Sequence, residues 1–312
     1  MEWYRIYKRK HQYKLNEVLK LCNISRQAHY QWLQRLVQEK EKEVLYLRMM
    51  EQAREIHPGM GLRTMYEMLA PEGIGRDGFI ALGLQEGFRL KSIEKQTRTT
   101  YSVKSSRYKN LLGGMEFTDI NQLWSSDITY FFCLEQFFYI VFIMDVYSRR
   151  IIGYSIADNM RAENNVTALK MALRTRGMND YSQCLIHHSD KGTQYASDSY
   201  TQLLEAYGIR ISMCNEVYEN THIERVNDTI KNQYLKRMEI KNRKELEKKL
   251  NEVIKTYNEK RPHQSLKKIP PVKYETHLKE IAKESRKRMT IYTVKINEDD
   301  PLNKQLNLFE PL

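Results

Sequence analysis

Three acidic residues occupy positions where a carboxylate is costly unless it has a partner. Asp127 lies inside an aromatic and β-branched run, Trp124-Ser-Ser-Asp-Ile-Thr-Tyr130. An acid within such a strand is expensive to bury without a counter-charge such as a metal ion. Asp190 follows a short apolar run, in His187-His-Ser-Asp-Lys-Gly192. Carboxyl ends of strands, with glycine nearby, are where open α/β sheets gather ligands. Glu224 sits in a helical stretch, Asn220-Thr-His-Ile-Glu-Arg-Val-Asn227, and Lys231 follows seven residues later on the same face. Converging carboxylates hold divalent ions through oxygen, with magnesium or manganese preferred. Such ions activate one oxygen and stabilise another in phosphoryl transfer. Lys231 is then placed to touch a phosphate beside them.

The elements that must carry these acids are legible from Gln122 onward. Leu123 to Leu134 and Phe137 to Val146 are strand-like and separated by a short turn near Glu135-Gln136, which predicts a hairpin. Arg150 to Ala157 is a third strand, Cys184 to His187 a fourth, and Ile209 to Met213 a fifth. Helices are predicted over Ala162 to Arg176, Ser197 to Tyr207 with Gly208 as its stop, Thr221 to Lys236, and Arg243 to Glu259. Three strands followed by alternating helix and strand predict an α/β domain with a mixed five-stranded sheet, over residues 122–262. The aromatics Phe131, Phe132, Phe137, Phe138 and Tyr139 read as core-facing strand residues. The lysine-rich run from Lys241 to Lys249 reads as a solvated helix face.

The front of the chain reads as all-α. In residues 1–43, Leu15, Val18, Leu19 and Cys22 form one helical stripe. Asn23-Ile24-Ser25 makes a turn, and Ser25 is a good cap for a second helix. Two short helices with a three-residue turn fit a helix-turn-helix. Arg26, Gln27 and His29, early in the second helix, would face DNA; a plain helical hairpin is the alternative. Residues 44–94 form a second such candidate: Leu45 to Ile56, a breaker at His57-Pro-Gly-Met-Gly61, Leu62 to Leu69, and a last helix capped by Asp77. Residues 95–121 are a basic linker carrying Lys95, Arg98, Lys104, Arg107 and Lys109, suited to a phosphate backbone. Residues 263–312 form a tail with a charged helix near Leu278 to Arg288.

Composition agrees with a polyanionic partner. The 312 residues carry 51 Lys and Arg against 39 Asp and Glu, a net charge of +12. A hydrophobic content of 41% supports a packed core. No apolar run reaches the ~20 residues of a membrane span, and no secretory segment is visible, so a cytoplasmic location is expected. Cys22, Cys133, Cys184 and Cys214 are far apart and form no CxxC pair. A zinc site built from them is not expected, and they read as small buried hydrophobes.

Taken in order, the motifs resemble the second-frame (OrfB) product of insertion sequences of the IS-three family, within the retroviral-integrase-like D-D-E superfamily. The resemblance runs through Trp124 to Tyr130, Asp145-Val-Tyr-Ser-Arg149 with Ile151-Ile-Gly-Tyr154, His188-Ser-Asp-Lys-Gly-Thr-Gln-Tyr195 and Gly208 to Met213. It continues through Glu219-Asn220, Glu224 with Lys231, and Tyr257-Asn-Glu-Lys-Arg-Pro-His263, and the front half joins it through Ser25 to Trp32 and Gly73 to Asp77. It implies a ribonuclease H-like integrase catalytic core and a DNA transposase. Asp127, Asp190 and Glu224 would bind a pair of magnesium or manganese ions, and Lys231 would contact the DNA end. His188 would orient the acid loop and Asp145, with Arg149, would support the fold beside the site. The reaction implied is strand cleavage at the element end, then attack of the freed 3′-hydroxyl on a second phosphodiester. Partners implied are the terminal repeats and target DNA, further copies of the chain, and a first-frame (OrfA) protein joined by frameshifting.

The sequence departs from the pattern in one place. Asp190 and Glu224 are separated by 33 residues, slightly fewer than is usual, and the shortening falls in Cys214 to Tyr218. Glu219 is the alternative third acid. A decayed or truncated copy that only binds DNA ends is the competing function. A ribonuclease H-type hydrolase shares the acids but does not explain the helical front half.

Overall fold

The turn Asn23 to Ser25 separates α1 (Leu15–Leu21) from α2 (Arg26–Ile56), and the Ser25 hydroxyl accepts a hydrogen bond from the Ala28 N–H at 3.1 Å. Ser25 is therefore the cap its residue type predicts. These coordinates come from a computed structural model that describes residues 14–93, 108–214 and 217–291. The start of the first predicted helix, the linker residues Lys95, Arg98, Lys104 and Arg107, and the segment from 292 onward lie outside the described residues. The chain divides into two compact units, Met1–Ile56 with Met60–Leu90, and His57–Gly59 with Lys91–Leu312.

In the first unit, α2 is continuous for 31 residues and crosses the boundary expected at residue 43. The run Glu39-Lys-Glu-Lys-Glu43 leads up to that boundary. It consists of strong helix formers with no Gly or Pro, so nothing stops the helix before Pro58. The end of α2 packs with α3 (Leu62–Leu69) and α4 (Arg76–Gln85) around Tyr46, Met50, Ala53, Met65 and Phe79. Gly75, not Asp77, stands at the N-cap of α4; Asp77 lies in the first turn, paired with Arg76 at 2.8 Å. Arg26 and Gln27 are exposed, but His29 is buried and stacks on Trp32. His29 is thus a packing residue and not part of an exposed reading face. Of the predicted stripe on α1, Leu19 is buried and Cys22 is exposed.

The second unit is built on a five-stranded sheet. After a short β1 (Glu116–Phe117) come β2 (Leu123–Cys133), β3 (Gln136–Asp145) and β4 (Ile151–Ala157), an antiparallel meander. The β2–β3 turn places Leu134 and Glu135 at φ 53° and 60°, the positive pair that tight hairpins require. Helix α5 (Ala162–Arg176) leads to β5 (Ile186–Ser189), and α6 (Asp198–Ala206) leads to β6 (Arg210–Met213). The strand order is β4-β3-β2-β5-β6, with β5 parallel to both β2 and β6. This is the mixed sheet of a ribonuclease H-like core. β5 starts two residues later than expected, at Ile186 rather than Cys184.

Strand alternation sorts the core into two layers. On one face Trp124, Val141, Ile143 and Ile152 pack against Ala168, Ala172 and Leu204 of α5 and α6. Gly153 lets α5 come close: a Cβ there would lie 2.3 Å from the Ala168 carbonyl oxygen and 2.9 Å from the Ala172 Cβ. On the other face Leu123, Phe131, Phe138, Ile140 and Phe142 pack under Ile223, Val226, Leu250 and Ile254. Those come from α7 (Thr221–Asp228) and α8 (Arg243–Glu259), with α8 capped by the Asn242 side chain. Phe132 and Phe137 are not core residues; they are exposed at the hairpin end, edge to face at 5.0 Å.

The expected helix over Leu278 to Arg288 is absent. Instead α9 covers Pro271–Leu278, with Pro271 at its first position, and β7 (Met289–Thr290) pairs antiparallel with β1. Pro270 and Pro271 open α9, since proline fits the first helical turn, where no N–H is needed. Glu275 of α9 completes a buried ion cluster. Arg176 reaches Asp145 at 2.9 Å and Glu275 at 2.7 Å, and Arg150 reaches Glu275 at 2.6 Å. Asp145 also accepts the N–H groups of Asn121, Tyr147 and Ser148. It is therefore a structural residue. Replacing Arg176 with Met leaves Asp145 buried and without its cation; the expected loss is about 3–5 kcal/mol of unfolding free energy. Urea denaturation checks this, and a loss below about 1 kcal/mol would mean that the cluster is not a structural anchor.

Candidate active site

The register of the parallel strands brings two of the acids together. Leu123, Trp124 and Ser125 of β2 lie opposite Ile186, His187 and His188 of β5. Continuing that register by two residues sets Asp127 level with Asp190, which follows the last residue of β5. Asp127 shares its strand face with Leu123 and Phe131, the face covered by α7. Glu224 stands on the first turns of α7. The helix is moored by Asn220, whose Nδ2 donates to the Ser126 carbonyl at 3.2 Å and whose Oδ1 accepts from the Ser125 hydroxyl.

Electrostatics tie the three carboxyls into one site. Burial, aided by the charges of Asp190 and Glu224 and opposed by the Ile128 N–H and Lys231, pushes the Asp127 carboxyl up to about 8. Asp190 and Glu224 are also raised by desolvation, though both residues keep exposed surface. The Asp190 carboxylate accepts the Gly192 N–H at 3.0 Å, which holds it at the mouth of the loop. Glu219, the alternative third acid, comes from the turn ahead of α7 rather than from the helix itself. It is buried beside His188 and Cys214.

Glu224, Asn227 and Lys231 form a stripe on one side of α7 and its extension. Asn227 donates from Nδ2 to the Asp127 carboxylate at 2.6 Å. Sequence reasoning passed over Asn227, although its spacing of three from Glu224 was a signal. After Asp228 the helix widens into a π turn, Thr229–Tyr234. Lys231 lies in it, its ammonium 5.9 Å from the Tyr130 ring centre. Burial, then the charge of Lys236, lower the Lys231 pKa.

The remaining predicted residues fall as follows. His188 is buried and hydrogen-bonds to Ser212 and Cys214 rather than to the Asp190 carboxylate. His222, read as incidental surface, lines a small cavity with Ser125, His188 and Glu219. Burial lowers its pKa to about 4, helped by Arg149 and Arg225. His263 packs edge-on against Tyr257 at 4.7 Å. Cys214 is buried as expected of a small hydrophobe, whereas Cys22 and Cys184 are exposed.

A half-buried strand acid, a second acid at the end of the neighbouring strand and a third on the covering helix define an integrase-type core. The integrase core domain models match residues 118–217 and 207–271. A protein of the insertion element IS600 from Shigella sonnei is 31% identical over 260 residues, covering 80% of this chain and 94% of that protein. The transposase of IS629, also from Shigella sonnei, is 30% identical over 226 residues, 71% of this chain and 75% of that protein. Transposase InsF of IS3A from Escherichia coli K12 is 32% identical over 146 residues, 45% of this chain and 49% of that protein. The chain belongs to the IS-three family of insertion-sequence transposases, polynucleotidyl transferases of the D-D-E integrase superfamily.

The raised Asp127 pKa sets a pH dependence. The folded carboxyl sits at about 8 against an ordinary value of 3.8, so the folded state holds the proton more tightly. The stability this gives is full below the ordinary value and is lost as pH rises towards 8. In chelator, Asp127→Asn is expected to be more stable than wild type at pH 8, by roughly 1–3 kcal/mol, with the gain vanishing near pH 4. Denaturation curves across that range check it; parallel slopes for the two proteins would contradict the cause given.

Proposed function

We propose that this chain cuts and joins the ends of its own insertion sequence, with Asp127, Asp190 and Glu224 as the ion-binding residues. The observation that carries this reading is the parallel register that sets Asp127 level with Asp190, close enough to Glu224 of α7 for both charges to raise Asp127. Their donors are all oxygen, and crowded anions in a partly buried pocket fit hard divalent cations, magnesium or manganese. Bound there, a pair of such ions supplies Lewis-acid activation of the attacking oxygen and charge neutralisation at the leaving one.

The chain's own residues provide the positioning. Asn227 fixes the Asp127 carboxylate, the Gly192 N–H fixes Asp190, and Asn220 fixes the helix that presents Glu224. Lys231, held over Tyr130, places a positive charge where a DNA phosphate would approach the acids. The net charge of +12 supports binding to terminal repeats and target DNA. Arg26 and Gln27, exposed at the start of α2, contact DNA. The enzyme acts as an oligomer on paired ends, receives a first-frame protein by frameshift fusion, and works in the cytoplasm at the nucleoid. Among the described residues no helix is long and apolar enough to cross a membrane.

Labelled DNA carrying the element ends tests this directly. With magnesium, wild type should cleave and join, while Asp190→Asn should bind the ends equally well and give no joined product. Joining that survives in Asp190→Asn would sink the assignment. Lys231→Ala should weaken end binding and reduce the slope of log affinity against log salt by about 1. An unchanged slope would remove Lys231 from the phosphate contacts.

A further inference from the structure

A second group of metal-ligating side chains lies just behind the acids. His188 comes from β5, Cys214 follows β6, and Glu219 sits in the 3-10 turn Val217–Asn220 that leads into α7. All three are buried, with exposures of 1%, 6% and 7%. One ligand atom from each lies within 4.8 Å of the others. The closest approach is His188 Nε2 to Cys214 Sγ, at 3.1 Å.

The imidazole is also oriented for ligation. Its Nδ1 lies 2.9 Å from the Ser212 hydroxyl oxygen, which accepts the Leu111 N–H at 3.0 Å. A hydroxyl oxygen has two lone pairs and can accept from both. In the tautomer with the proton on Nδ1, Nδ1–H donates to Ser212 and Nε2 keeps a lone pair aimed at Cys214. Holding the far ring nitrogen in this way is how proteins fix a metal-binding histidine. The open side of the group faces a small cavity lined by Ser125, Val146 and His222.

We propose that His188, Cys214 and Glu219 form a second cation site, for zinc or a similar borderline-soft divalent ion, separate from Asp127, Asp190 and Glu224. One nitrogen, one thiolate sulfur and one carboxylate oxygen are a zinc donor set, and magnesium avoids sulfur. Three protein ligands leave a fourth position for water from the cavity. The ion would tie the ends of β5 and β6 to the turn from which α7 departs, five residues before Glu224. Its role is to fix the shortened loop and thereby the helix that carries the third acid. The site stands on its own geometry, whatever the D-D-E residues do.

The test uses the full-length, tag-free chain, stripped with chelator and reloaded with zinc or cobalt(II) in excess magnesium. Wild type should retain a single zinc per chain after gel filtration. Its cobalt form should show the near-ultraviolet thiolate-to-cobalt charge-transfer band. Asp127→Asn and Glu224→Gln should keep both signals. Cys214→Ser should lose the band, and Ser212→Ala should weaken zinc binding roughly 10–100-fold. The wild-type cobalt spectrum needs no variant to fold: if zinc or cobalt fails to bind, or binds without the thiolate band, the proposal is overturned. Zinc lost in Asp127→Asn but kept in Cys214→Ser overturns it too, by placing the ion among the D-D-E acids.

Discussion

Crowding of like charge is the constraint around which this core is organised. Asp127 and Asp190 are brought level by a parallel strand register, and Glu224 is laid over them by a helix. Each placement costs free energy, since burial and mutual repulsion both favour the uncharged form. The fold meets that cost with rigid elements. β2 is paired on both sides, by β3 and β5, and its aromatic and β-branched residues supply packing that an isolated acid cannot disrupt.

The helix over the acids shows how local irregularity serves the same end. α7 is short, and its regular turns stop at Asp228, where a π turn takes over. Widened turns of this kind recur at functional sites. Here the widening begins just after Asn227, bonded to Asp127, and includes Lys231, set over Tyr130. Ile230 and Tyr234 remain buried through the widened segment. The helix therefore keeps its apolar contact with the sheet while changing the direction in which its polar stripe points.

Much of this was legible in the sequence because the signals were local. Helices Ala162–Arg176 and Arg243–Glu259 follow from uninterrupted period and caps, and they stand where the pattern put them. The three acids stood out because each is costly in its own context. What escaped were relations that depend on distant packing. His29 looked like a polar residue on a DNA-facing helix, but tertiary contacts bury it. The boundary expected at residue 43 falls inside one continuous helix, because the strong helix formers Glu39 to Glu43 carry no break. Asn227 shares a helix face with Glu224, but its bond to the Asp127 carboxylate exists only once the helix is docked. His188, Cys214 and Glu219 come from three separate elements, so no spacing motif joins them.

Two acidic clusters on one sheet make the clearest functional argument, because the chain treats them in opposite ways. Asp145 and Glu275 are as deeply placed as any site acid, yet Arg176 and Arg150 lie within 3 Å of them. Arg176 and the Ser148 hydroxyl hold Glu275 below its ordinary pKa despite burial. That cluster is neutral by construction and its work is cohesion. The cluster of Asp127, Asp190 and Glu224 receives an amide from Asn227 and a more distant lysine, and Asp127 stays far above its ordinary value. A fold that builds buried arginine pairs a few residues away does not lack the means to neutralise acids. The difference in treatment supports the proposal that Asp127, Asp190 and Glu224 take up cations from solution. Leaving these three short of positive charge also makes stability at this point depend on what binds there, which is the trade expected where function, not cohesion, fixed the residues.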